Sequence, residues 1–258
     1  MPEPQPGPGL AVRFAGSGDA FGSGGRFQAC IWVRGTDEEG SSRTLLVDCG
    51  ASSLIALRRL GLDPAGIDAV LLSHLHGDHF GGVPFLILDA QFSRRERPLL
   101  IAGPAGVRDR VHGCMEAMFP GSTSARRRFE IRFAEVPGDL EPVMAAGAEV
   151  TAAEVVHASG APALALRIRL GGRTLAYSGD TEWTPALAEV SRDADVFVCE
   201  AYTFGKKVRY HLDYETLREH LPELSARRIL LTHMSPDMLA HLPEVPLETA
   251  HDGLAVDP

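Results

Sequence analysis

A chain of 258 residues with 45% apolar and 23% charged side chains has an ordinary globular composition and can bury one substantial core. Its 25 basic against 34 acidic residues leave a formal charge of −9. That balance excludes a protein whose whole surface grips nucleic acid, because phosphate contacts need clustered cations. Two basic runs, Arg94-Arg95 with Arg97 and Arg126-Arg127-Arg128, stand out from it, and each is expected to be a solvated face or loop.

The segment Met1–Pro8 lacks the basic-then-apolar pattern of a secretory signal, and no apolar stretch approaches the roughly 20 residues needed to cross a bilayer. Residues 1–9 are expected to be a disordered lead-in and 10–258 one domain, in a cytoplasmic protein with no membrane partner. Cys30, Cys49, Cys114 and Cys199 form no CxxC pair, and three of them sit in apolar, strand-like surroundings. Such cysteines behave as small buried hydrophobes, which fits a reducing compartment.

In chain order, periodicity predicts strands near 10–15, 29–34 and 43–48, then a helix near 51–60 ending at Gly61. A buried strand is expected at Ile67–Leu72, a helix from Phe80 to Phe92, a second buried strand at Leu99–Ala102 and a helix from Pro104 to about Phe119. The second half repeats the scheme, with strands near 129–136, 149–157, 163–170 and 173–178, the last two joined by a Gly171-Gly172 turn. A helix follows Thr184-Pro185, then a strand at Asp195–Cys199, a helix near Tyr214–His220 and a strand at Ile229–Thr232. Two similar halves of this kind suggest two sheets packed together with helices outside.

The strongest chemical signal is Ser73-His74-Leu75-His76-Gly77-Asp78-His79, directly after the buried strand Ala69-Val70-Leu71-Leu72. His74, His76, Asp78 and His79 are potential metal ligands on a tight turn that Gly77 is expected to permit. A strand end holds such ligands on a rigid base. Imidazole and carboxylate donors without thiolates suit zinc, manganese or iron, with zinc the first choice. A lone histidine here would read as a loop residue; H-x-H-x-D-H spacing after an apolar strand does not.

With Phe80-Gly81-Gly82, that motif closely resembles the main motif of the metallo-β-lactamase superfamily. Further parts of the pattern follow in order: Val47-Asp48-Cys49-Gly50, His157 at the close of a strand, Tyr177-Ser178-Gly179-Asp180-Thr181, and Leu230-Leu231-Thr232-His233-Met234. The resemblance spans about Val12 to Met238 and implies an α/β fold, a four-layer αββα sandwich of two mixed β-sheets with helices outside. It further implies that His74, His76 and His157 hold one divalent ion, that Asp78, His79 and His233 hold another, and that Asp180 bridges them. Asp48 would support the turn from behind. Two such ions lower the pKa of a shared water and stabilise charge growing on the attacked centre.

Cys199-Glu200-Ala201-Tyr202 and Tyr210-His211-Leu212-Asp213-Tyr214 resemble the phosphodiesterase branch of the superfamily, ribonuclease Z and cyclic phosphodiesterases above all. The resemblance makes His211, Asp78 and Glu200 the catalytic residues, with His211 the general acid supported by Glu200. The residues alone leave open that His211 merely precedes a helix capped by Asp213. Gly16-Ser17-Gly18-Asp19-Ala20-Phe21-Gly22-Ser23-Gly24-Gly25-Arg26 also resembles ribonuclease Z, and such a loop can aim N–H groups at a phosphate.

Two departures count against tRNA as substrate: the net charge, and a chain between His157 and Asp180 only long enough for one hairpin, where short-form ribonuclease Z inserts a protruding arm. A small or cyclic phosphodiester, such as a cyclic nucleotide or cyclic sugar phosphate, is the expected substrate. The competing readings are a thioester or lactam hydrolase of the glyoxalase II type, a tRNA 3′-processing endonuclease and an iron-dependent oxygenase. Relatives suggest a homodimer by analogy.

Overall fold

Thr44-Leu45-Leu46-Val47 carries no alternating polar face beyond its first residue, which a strand tolerates only when both of its faces are covered. The computed structural model, which describes residues 9–258, places it so. Leu45 and Val47 enter a core between two sheets, while Leu46 packs against helices on the other side. The expected lead-in lies, apart from Gly9, outside the described residues.

The first half builds strands β1 (Ala11–Gly16), β2 (Cys30–Thr36), β3 (Ser42–Val47), β4 (Ala69–Leu71), β5 (Leu99–Gly103) and β6 (Ile131–Glu135). The second builds β7 (Val143–Ala145), β8 (Ala148–Val155), β9 (Ala163–Leu170), β10 (Arg173–Tyr177), β11 (Val196–Glu200), β12 (Ile229–Thr232) and β13 (Glu248–Thr249); β14 (Ala255–Val256) then returns to the first sheet. The sheet orders are β14-β1-β2-β3-β4-β5-β6 and β13-β12-β11-β10-β9-β8-β7. Each sheet mixes both modes: β3 to β6 and β10 to β13 run parallel, while β1 to β3 and β7 to β10 are antiparallel.

Helices α1 (Ser53–Arg59), α2 (Gly77–Phe80), α3 (Val83–Phe92) and α4 (Val107–Met118) precede α5 (Ala186–Ser191), α6 (Tyr214–His220) and α7 (Pro236–Ala240). Leu57, Ile87, Val111 and Met115 cover the outer face of the first sheet; Leu187, Val190, Leu217 and Met238 cover the second. Between the sheets lie Phe14, Val33 and Leu71 from one side and Leu166, Ile168, Tyr177 and Val198 from the other. These four layers are the αββα sandwich expected from the sequence. Among the described residues no helix is long and apolar enough to cross a membrane.

Several expectations are refined by the packing. The helix expected from Phe80 to Phe92 is two helices meeting at Gly81-Gly82, because Pro84 has no N–H with which to continue the ladder. Gly171 and Gly172 take φ 63° and 72°, forming the two-residue turn that pairs Leu170 with Arg173. Strands β7, β13 and β14 and helix α7 were not anticipated; three are two- or three-residue strands whose pairing is set by neighbours rather than by their own pattern.

The two basic runs are not uniformly solvated, which corrects the expectation for Arg95. Its guanidinium is buried and donates to the carbonyls of Arg97 at 2.7 Å, Ala65 at 2.9 Å, Ile67 at 2.6 Å and Pro98 at 2.8 Å. Arg127 is half-buried and donates to Ala125 and Ser122 carbonyls, while Arg126 and Arg128 are exposed. The four cysteines are free thiols, three of them buried.

Arg95→Ala orphans four carbonyls and is expected to lower the unfolding free energy by about 3 kcal/mol in urea titration. Arg128→Ala removes only a loose 3.7 Å pair with exposed Glu96 and is expected to change it by less than about 0.5 kcal/mol.

Candidate metal centre

The chemistry-bearing residues come together where strands of both sheets end on one edge of the sandwich. Asp48 follows β3, His74 to His79 follow β4, His157 follows β8, Asp180 follows β10, Glu200 ends β11 and His233 follows β12. Two of these are held in the left-handed region that non-glycine residues avoid, Asp48 at φ 58° and His233 at φ 59°. Backbone strain of this kind persists only where surrounding bonds fix it.

For Asp48 those bonds are strong. Its carboxylate is fully buried and accepts from the Ser73 N–H at 2.8 Å, the Ser73 hydroxyl at 2.8 Å and His79 Nδ1 at 2.7 Å. It thereby fixes both ends of the metal-motif turn and leaves His79 Nε2 facing the centre. For His233 the brace comes from the first loop: its N–H and the Thr232 hydroxyl both donate to Ser17 O, at 3.2 and 3.3 Å. Ser17 is held in turn by Asp252, which accepts from its N–H and hydroxyl at 2.9 Å each.

That arrangement changes the reading of the glycine-rich loop. Its N–H groups at Gly18, Phe21, Gly22, Ser23 and Gly25 are already engaged by Phe27 O, Asp19 or Gly22 O. They are not turned outward to cradle a phosphate; buried Asp19 and the partners of Ser17 make the loop a buttress for His233.

Gly77 is likewise not the glycine the motif turn requires. It is helical, and a Cβ there would meet nothing within 4 Å. The obligatory positions are Gly50, where a Cβ would stand 2.2 Å from Asp78 O, and Gly82, where it would stand 2.2 Å from Gly50 O. The loop after β3 and the start of α3 cross with bare backbone against backbone.

All ten expected site positions fall into one neighbourhood. Ligand atoms of His74, His76 and His157 lie within 4.8 Å of one another, as do those of Asp78, His79, Asp180 and His233. Asp180, 2% exposed, stands between the two groups. Its Oδ1 is 3.3 Å from His79 Nε2; its Oδ2 is 3.3 Å from His233 Nε2, 3.9 Å from His74 Nε2 and 4.0 Å from His157 Nε2. His157 Nδ1 donates to Tyr210 O at 2.8 Å; a carbonyl can only accept, so Nε2 presents its lone pair inward. It meets His76 Nδ1 at 3.0 Å.

The donor set fits cations. His74 Nε2, His79 Nε2 and Asp180 Oδ1 face the centre, buried without a hydrogen-bond partner, which buried polar atoms rarely tolerate. Burial, assisted by His79, His157 and His76, holds His74 well below the ordinary histidine range, so it is a neutral donor. Burial pushes the Asp180 carboxyl up, but His233, His79 and His74 outweigh it and hold the group well below the carboxylate range. Burial pushes His79 down, yet Asp180, Asp48 and Asp78 raise it well above its usual value. Such a pull on a buried imidazole proton marks a site that calls for added positive charge. Histidine and carboxylate donors without a cysteine suit zinc, manganese or iron.

Beside this cluster, His211 Nδ1 lies 2.5 Å from Glu200 Oε1 and 4.0 Å from Asp180 Oδ2. Glu200 is fully buried, and its Oε2 accepts from the N–H groups of Thr181 at 2.8 Å and Leu212 at 3.2 Å. Burial opposes the charge on both partners, raising Glu200; the bond to Glu200 and the charges of Glu200, Asp180 and Asp78 outweigh it for His211, which is also raised. Asp213 caps α6 by accepting from Thr216 N at 2.9 Å, so the helix start and the His211 pair coexist. Ser73, Ser17, Asp252 and the Tyr210 carbonyl were not picked out from sequence. Ser73, Ser17 and Tyr210 each lie in a segment the sequence marks out, but nothing local marks Asp252.

Gly50→Ala is expected to lower stability by about 3 kcal/mol in thermal or urea unfolding, since backbone must move to admit the Cβ. Gly77→Ala is expected to be neutral or slightly stabilising in the same measurement.

The geometry agrees with what this chain is similar to. It is 25% identical to ribonuclease Z of Methanosarcina acetivorans over 279 aligned residues covering 88% of each chain. Its fold matches YhfI, a metallo-β-lactamase fold protein of Bacillus subtilis, with a TM-score of 0.75 at 22% identity over 96% of this chain and 99% of that one. It also matches human tRNase Z, short form, with a TM-score of 0.73 at 21% identity over 95% and 98% of the two chains. The family model described as anti-Pycsar protein Apyc1 matches residues 10–248. With its two mixed sheets and its clustered histidines and aspartates, the chain belongs to the anti-Pycsar Apyc1 family and is a metal-dependent hydrolase of the metallo-β-lactamase fold, related to ribonuclease Z.

Proposed function

We propose that the protein is a dinuclear metal-dependent phosphodiesterase acting on a small or cyclic phosphodiester, such as a cyclic nucleotide or cyclic sugar phosphate. His74, His76 and His157 would hold one ion, Asp78, His79 and His233 would hold the other, and Asp180 would serve both; zinc is the metal that best suits these donors. When bound, the ions lower the pKa of water and offset negative charge on the phosphate.

The observation that carries the phosphodiester reading is the His211–Glu200 pair beside Asp180. An alkoxide leaving group needs a proton, whereas a nitrophenolate does not. Glu200 engages Nδ1 of His211 and is fixed by the N–H groups of Thr181 and Leu212, so Nε2 is the nitrogen left to donate. Asp78, buried beside His79 and Asp180, completes the acidic side of the cleft.

A small substrate is supported by the connection from His157 to Asp180, which is the β9–β10 hairpin with a two-residue turn and no protruding arm. The formal charge of −9 points the same way, since a polyanion as long as tRNA would be repelled over most of the surface.

Metal-reconstituted protein assayed against bis(p-nitrophenyl) phosphate, a cyclic nucleotide, a thioester and a lactam is expected to cleave the first two. Turnover confined to the thioester or lactam would sink the phosphodiesterase reading. His211→Ala is expected to cut kcat roughly 100-fold or more on a diester with an alkyl leaving group and much less on the nitrophenyl ester. Equal losses on both would remove His211 as the proton donor.

A further inference from the structure

The segment after Asp180 carries a side chain that neither cluster uses. Glu182 Oε1 accepts the Tyr210 N–H at 2.7 Å, across 28 residues of chain. Tyr210 sits at φ 69°, the third non-glycine residue near the centre in the left-handed region. In that conformation its N–H points to Glu182 while its carbonyl turns to accept His157 Nδ1 at 2.8 Å. The next residue is His211, whose N–H closes a turn on Val208 O at 3.1 Å and whose ring pairs with Glu200.

Glu182 is itself fixed. Its N–H donates to Val156 O at 3.1 Å, and its carbonyl accepts from the Thr181 hydroxyl at 2.6 Å, while that hydroxyl oxygen accepts from the Val156 N–H at 3.1 Å. The loops carrying His157, Asp180 and His211 are thus laced together, with the Glu182 carboxylate holding the N–H side of the strained Tyr210 and His157 its carbonyl side.

We infer that Glu182 is a positioning residue: by accepting the Tyr210 N–H it holds Tyr210 left-handed, which sets the tautomer of His157 and the place of His211 together. The inference rests on the reading of His157 as a metal ligand and His211 as the proton donor. Without the carboxylate, the Tyr210 peptide relaxes toward right-handed φ and its carbonyl swings away from His157. Outer bonds of this kind orient a ligating imidazole, and losing one typically weakens the site roughly 10- to 100-fold.

The test is zinc titration of the metal-stripped protein against a chelating dye, with melting temperatures of the stripped proteins as a folding check. Glu182→Ala is expected to weaken one of two zinc-binding steps roughly 10- to 100-fold and to leave the other nearly unchanged. Glu182→Gln, whose amide oxygen can still accept the Tyr210 N–H, is expected to stay within a few-fold of wild type. Should the alanine variant fail to fold, Glu182→Met supplies the same length without an acceptor and is expected to behave as alanine should.

A rescued glutamine variant beside a weakened alanine or methionine variant supports the role. Zinc binding unchanged without an acceptor, or glutamine as weak as alanine, overturns it. His157→Ala serves as the reference: if it leaves both steps unaltered, the metal-site reading fails, whereas its weakening beside an unaffected Glu182→Ala condemns the positioning role alone.

Discussion

A carboxylate buried among imidazoles is the constraint to which the rest of the molecule answers. Asp180 is 2% exposed, and every ion pair it makes among the described residues is to a histidine. A charge so placed is tolerable only if opposite charge is close and stays close. The four layers therefore serve less to create a cavity than to keep several strand ends from drifting. Rigid strands deliver the donors, and outer bonds from Asp48, Ser17 and the Tyr210 carbonyl hold the turns that carry them.

Positive φ at Asp48, His233 and Tyr210 follows from the same constraint. Each ends or follows a segment that must reverse abruptly to aim a side chain or a carbonyl inward. A glycine would relieve the strain at any of them, yet glycine has no side chain to offer at the first two. The stabilisation that offsets the strain lies in specific bonds to Ser73, Ser17 and Glu182 rather than in general packing.

The sequence made the centre legible for a physical reason. His74, His76, Asp78 and His79 lie within six residues directly after an apolar run, whereas His157, Asp180 and His233 were legible only through the resemblance to the metallo-β-lactamase pattern. The long strands and helices were readable on the same ground, because both faces of β3 or β4 are covered and the whole segment is apolar. What could not be read depends on approach between distant segments. Arg95 looked like part of a charged run until its carbonyl partners were in place. Gly77 looked essential because of its neighbours, whereas the tight crossing belongs to Gly50 and Gly82. Nothing local marks Asp252 or Glu182, since each acts on backbone far away in the chain.

The clasp between Ser17 and Asp252 joins positions 235 residues apart. During synthesis the first loop leaves the ribosome early, with its anchoring carboxylate still unmade. The corner that seats His233 therefore cannot close until Asp252 has emerged, however soon strands β1 to β6 pair. Assembly of the second half of the centre becomes a high-contact-order event, and a chain cut short before Asp252 is left without the clasp that seats His233.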